Sequence, residues 1–69
     1  MEEARRHYEN AVNLNPGFLQ AHYKLGQLLR KLGEEEAASR HLQSALRLAR
    51  SRGETRLVQE IEALLDRNP

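Results

Sequence analysis

Two stretches decide how this chain is read: Ala4-Arg5-Arg6-His7-Tyr8-Glu9-Asn10-Ala11-Val12-Asn13-Leu14 and, 34 residues further on, Ala38-Ser39-Arg40-His41-Leu42-Gln43-Ser44-Ala45-Leu46-Arg47-Leu48. Laid one over the other, they agree at Ala4 and Ala38, Arg6 and Arg40, His7 and His41, Ala11 and Ala45, and Leu14 and Leu48. Tyr8 meets Leu42 and Val12 meets Leu46 as conservative exchanges. Agreement at a fixed period is the signature of a stacked-repeat architecture. Within each stretch the apolar residues recur at i, i+4, i+7 and i+8, the spacing of one helical face. A further helical segment lies between the two copies, so the repeating unit is a helix pair.

Working outward gives four helical segments. The first spans about Glu2 to Leu14, with Glu2 and Glu3 placed where carboxylates favour the helix dipole. Asn15-Pro16-Gly17 ends it, because proline drives the residue before it out of the helical region and glycine permits a turn. The second spans about Leu19 to Leu32, with an apolar stripe of Ala21, Leu25, Leu28, Leu29 and Leu32. Its opposite face is mostly polar: Gln20, Tyr23, Lys24, Gln27, Arg30 and Lys31. Gly26 sits inside this helix at a cost of about 1 kcal/mol against alanine, which implies a packing reason, and Gly33 supplies the stop. The third spans about Glu35 to Arg50, with Ala38, Leu42, Ala45, Leu46 and Ala49 on one face. Glu34, Glu35 and Glu36 at its start and Arg47 and Arg50 at its end suit the dipole, and Gly53 breaks the run. The fourth spans about Glu54 to Arg67 with Leu57, Val58, Ile61, Leu64 and Leu65. Short connections predict antiparallel hairpins. The expected fold class is all-α.

Composition agrees. Leu, Ala, Glu, Arg and Gln dominate, Val12, Val58 and Ile61 are the only valine and isoleucine residues, and a sheet has little to be built from. At 69 residues the chain is one small domain, in a range where a single core rarely yields more than about 3–5 kcal/mol. There is no cysteine, so neither a disulfide nor a thiolate metal site is available. That fits a reducing compartment, the cytoplasm being the most compatible. No apolar run is long enough to span a bilayer and no signal-peptide pattern opens the chain. Eleven Lys plus Arg against ten Asp plus Glu give a net charge of +1, no general electrostatic reason to bind nucleic acid or a membrane.

These features together resemble the tetratricopeptide repeat (TPR) family, whose unit is a helix–turn–helix of the same 34-residue length as the period here. The Leu25-Gly26 pair followed by Leu29, and the small–large–small series Ala38, Leu42 and Ala45, stand where the family has them. Ala4, Tyr8, Ala11 and Pro16 repeat the second-helix pattern. The resemblance implies an α-solenoid divided into residues 1–18 (second helix of a preceding repeat, plus turn), 19–52 (a complete repeat) and 53–69 (a capping helix). Two departures stand out. His22 occupies a position where a large aromatic is common, making that contact more polar. Arg50 replaces the terminating proline, which lets the third helix run longer.

The resemblance also implies a non-catalytic protein–protein interaction scaffold, because first helices of these repeats line a concave peptide-binding groove. Carried over by alignment, the groove residues are Gln20, Tyr23, Lys24, Gln27, Arg30 and Lys31, with the basic members suited to an acidic or carboxylate ligand. The family's multi-repeat carboxylate clamp is not reproduced by Tyr23, Lys24 and Gln27. The alternative is a structural capping and self-association unit. In that reading Ala4, Tyr8 and Ala11 would face an absent partner helix, and a second copy would close them as a homo-oligomer, most simply a dimer.

Other constellations carry less. His7, His22 and His41 lack the third and fourth donors of a metal site, and are expected as surface or boundary residues. No nucleophile elbow or phosphate loop is present, and neither an enzyme activity nor a cofactor is expected. The Arg-rich run Arg40, Arg47, Arg50, Arg52 and Arg56 lacks nearby aromatics for base stacking and is expected to be a solvated face.

Overall fold

The computed structural model describes residues 2–66. Its elements are α1 (Glu2–Leu14), α2 (Leu19–Lys31), α3 (Glu35–Ser51) and α4 (Thr55–Asp66), all helical as expected. The expected end of the last segment at Arg67 lies outside the described residues.

The α2–α3 hairpin is the most extensive contact, and Gly26 sits at its closest approach. A Cβ added there would stand 2.7 Å from both Cγ and Cδ2 of Leu42 and 3.3 Å from the Ala38 carbonyl oxygen. The mid-helix glycine is therefore a packing residue: its missing side chain lets the two backbones approach. α1 packs against α2 and α4 against α3. The result is a slab of 31 × 31 × 15 Å, a depth that fits two helix layers with axes about 8–10 Å apart. This is the stacked-pair arrangement of an α-solenoid.

Two apolar clusters flank the crossing. Val12, Ala21, Leu25, Leu29 and Ala38 form the first, with Tyr8, Ala11 and Ala37 against it. Leu19, Leu42, Ala45, Ala49 and Ile61 form the second, with Tyr23, Leu46, Leu48, Leu57, Val58, Leu64 and Leu65 against it. Leu25, Leu29, Leu42 and Ile61 are the largest fully buried side chains, each contributing about 1.5–3 kcal/mol by leaving water.

α2 and α3 end in the same way. Gly33 (φ 84°) and Gly53 (φ 69°) take the left-handed conformation. The amides of Gly33 and Glu34 donate to the carbonyls of Arg30 and Leu29, and those of Gly53 and Glu54 to Arg50 and Ala49. These paired bonds satisfy the last carbonyls of each helix and reverse the chain. Two sequence-based bounds shift as a result. Leu32 becomes the C-cap of α2 and is turned outward, 39 % exposed, so the apolar stripe stops at Leu29. Glu54 is drawn into the reversal, and α4 starts at Thr55. Leu14 also departs from its equivalent. Leu48 lies inside α3 and packs on the second cluster, whereas Leu14 is the last residue of the shorter α1 and is 87 % exposed.

Candidate functional site

The polar face of α2 was the expected binding surface, and its six residues divide between two neighbours. Tyr23, half-buried, donates its hydroxyl to Glu60 Oε1 of α4 at 3.3 Å. Burial, and then the nearby Glu60 charge, push the Tyr23 hydroxyl pKa up. Arg30 donates to the Leu64 carbonyl of α4. Gln20 lines an opening toward the first turn of α4, together with Glu54, Thr55, Arg56, Leu57 and Glu60. These three residues look toward α4.

The other three look toward α1. Lys24, Gln27 and Lys31 line a cleft of about 320 Å³ whose remaining walls are Ala4, Tyr8 and Leu28. Tyr8 and Ala11, assigned from the sequence to a self-association patch, also pack against the first apolar cluster, while Ala4 stays exposed at the cleft edge. Parts of two candidate sets kept apart in the sequence, Lys24, Gln27 and Lys31 from one and Ala4 and Tyr8 from the other, thus share one cleft. The reason is that α2 presents Lys24, Gln27, Leu28 and Lys31 at i, i+3, i+4 and i+7, one helical stripe alongside α1.

The charge pattern of this cleft is one-sided. No carboxylate lines it, and among the described residues neither Lys24 nor Lys31 takes part in an ion pair. Four carboxylates elsewhere, Glu9, Glu34, Glu60 and Glu62, are engaged. Glu34, half-buried, accepts the Arg5 guanidinium at 2.5 and 2.9 Å, and Arg5 also reaches Glu9 at 3.2 Å. The bond to Glu34, then that to Glu9, raise the Arg5 pKa still further. Glu34 is thus a tie between α1 and the α2–α3 turn instead of a purely solvated charge at a helix start. Within the Arg-rich run, Arg50 pairs with Glu62 at 2.8 Å and Arg52 donates to the Gly17 carbonyl at 2.7 Å.

The histidines were expected at the surface or its boundary, and His22 is instead buried, 8 % exposed. Its Nε2 lies 2.8 Å from the Pro16 carbonyl and its Nδ1 lies 3.2 Å from Nδ1 of His41. The missing signal was register: once Gly26 faces Ala38 and Leu42, an antiparallel hairpin brings the preceding turn of α2 beside this part of α3. No group of three or more His, Asp or Glu side chains among the described residues is arranged to hold a metal ion.

Comparison with known proteins bears on residues 1–52. Residues 1–33 match a family model described as a TPR repeat, and residues 19–52 match one described as a tetratricopeptide repeat. Neither a curated protein nor a solved structure matches the chain significantly.

Proposed function

We propose that this chain, a tetratricopeptide-like repeat segment over residues 1–52, is a non-catalytic interaction module that binds an acidic, extended segment of a partner protein in the α1–α2 cleft. One observation carries the reading: the cleft combines two lysines free of ion pairs with an apolar floor of Tyr8 and Leu28 and no carboxylate. Lys24 and Lys31 are two helical turns apart, roughly 10 Å along the axis at about 1.5 Å per residue. A peptide in the polyproline II conformation rises about 3.1 Å per residue with about three residues per turn, so carboxylates at positions i and i+3 lie on one side and match the two ammonium groups. An apolar residue between them meets Tyr8 and Leu28.

Fluorescence anisotropy with a labelled peptide carrying Glu at i and i+3 and Leu between them tests this. Binding should be lost in Lys24→Glu and Lys31→Glu, and lost when the peptide's Glu residues become Gln. Binding unchanged by both lysine substitutions but removed by Arg47→Glu and Arg50→Glu would transfer the site to α3 and refute the reading.

The second reading, a capping and self-association unit, also has specific support. α4 buries Ile61 and sets Leu57, Val58, Leu64 and Leu65 on the second cluster, while Arg56, Gln59, Glu60, Ala63 and Asp66 face solvent. A helix apolar on one side and polar on the other suits a cap over residues 19–52. Self-association through Ala4, Tyr8 and Ala11 would occupy the same cleft as the peptide, because Ala4 and Tyr8 line it. The two readings therefore exclude one another at this surface. Light scattering over a range of concentrations, with and without the acidic peptide, separates them: a dimer dispersed by the peptide favours self-association as the resting state, and a monomer throughout removes it.

A further inference from the structure

His22 and His41 meet inside the α2–α3 hairpin, and the first question is where their protons sit. A carbonyl oxygen only accepts, so the 2.8 Å contact with Pro16 requires His22 to carry a proton on Nε2. In the neutral ring, Nδ1 of His22 is then a bare acceptor. The 3.2 Å contact between the two Nδ1 atoms is a hydrogen bond only if His41 carries its proton on Nδ1 and donates it. The tautomers of both rings follow from one backbone carbonyl.

One added proton leaves this bridge intact. It can enter at Nε2 of His41, away from the contact. It can also enter at Nδ1 of His22, with His41 shifting to its other tautomer and accepting. Two added protons leave both Nδ1 atoms as N–H donors facing each other, with no acceptor between them. The ring centroids are 5.4 Å apart, so two imidazolium charges would also repel at short range.

We propose that the His22–His41 contact is a proton-operated latch between α2 and α3, closed while the pair carries at most one added proton and opened by the second. The groups around His41 bias its ring toward the uncharged form. It is partly buried, and Arg40 on α3 adds a positive charge near it. Glu9 from α1 acts in the opposite sense, and it is shared with Arg5 at 3.2 Å. Burial first, then His22 and Arg40, hold the His41 pKa below the ordinary imidazole value. The sign follows: His41 takes up its proton near pH 6.5 in the unfolded chain, before it does so in the folded one. Stability is complete above about pH 6.5 and declines as pH falls from there through the lower folded value. The latch seats the N-terminal half of α2, the helix that also carries Lys24 and Lys31, but the proposal does not rest on what that face binds.

The test uses the whole chain and His41→Asn. The asparagine amide offers Nδ2 to a neutral His22, or turns over and offers Oδ1 to a protonated one, so its bridge survives either state. Urea denaturation followed by circular dichroism, between about pH 8 and pH 5, should show the wild-type chain taking up about one more proton on unfolding than His41→Asn below pH 6.5. Equal proton uptake in the two chains would overturn the latch. Imidazole ¹⁵N NMR of the wild-type chain decides independently of how the variant folds. The expected result at about pH 8 is His22 protonated at Nε2 and His41 at Nδ1. His22 protonated at Nδ1 alone would overturn it.

Discussion

Gly26→Ala tests the close α2–α3 crossing on which the whole arrangement depends. In an open helix the substitution is favourable by about 1 kcal/mol, since alanine loses less backbone freedom on folding than glycine. Here the new Cβ would lie 2.7 Å from Cγ and Cδ2 of Leu42. Leu42 is fully buried, and Cγ is not the free end of a flexible chain, so the side chain must change rotamer or the helices must part. Overpacking of this kind costs about 1–3 kcal/mol. The two effects oppose each other, and steric strain wins by about 1 kcal/mol, within a range of about 0–2. For a domain this small, that lowers the melting temperature by about 4–8 °C. Urea titration by circular dichroism should give a lower midpoint with an unchanged slope. Gly26→Leu should lie at the upper end, about 3 kcal/mol. A double-mutant cycle adds a sharper test. Leu42→Ala costs about 2–5 kcal/mol in the parent, and should cost less in Gly26→Ala, because the cavity accepts the added methyl. A Gly26→Ala chain more stable than the parent by the full helical gain, with no coupling to Leu42, would refute the crossing.

Other consequences are equally direct. Ile61→Ala empties the one fully buried position of α4 and should cost about 2–5 kcal/mol, comparable to the stability expected of so small a chain. Circular dichroism should therefore show a large loss of helicity, and a chain that melts like the parent would mean α4 does not hold the second cluster. Gly33→Ala introduces no clash, since nothing stands within 4 Å, but it forces a side chain into the left-handed region at φ 84°. It should cost about 1–2 kcal/mol by denaturation, and no measurable cost would remove the Gly33 reversal. Capture of the acidic peptide by Lys24 and Lys31 should weaken as salt rises from about 50 to 500 mM, since exposed charges are screened beyond a Debye length. Salt-independent affinity would point to apolar contacts alone.

What could be read along the chain was whatever depends on local spacing. The 34-residue period, the apolar stripes and the stops at Pro16, Gly33 and Gly53 are one-dimensional signals, because a helix converts spacing directly into a face. They sufficed for four helices, for the packing role of Gly26 and for the candidate face of α2. They could not show which neighbour each side of that face meets, since this depends on how α1 and α4 are seated on the hairpin. Tyr23 and Arg30 are bonded to α4, while Lys24 and Lys31 join Tyr8 across a cleft. Nor could spacing pair residues far apart in sequence. Arg5 and Glu34 are 29 positions apart, and His22 and His41 are 19. The histidines meet because two helices approach closely at a residue without a side chain, and Arg5 meets Glu34 because α1 is seated on that hairpin; both distances exist only once the chain has folded back on itself.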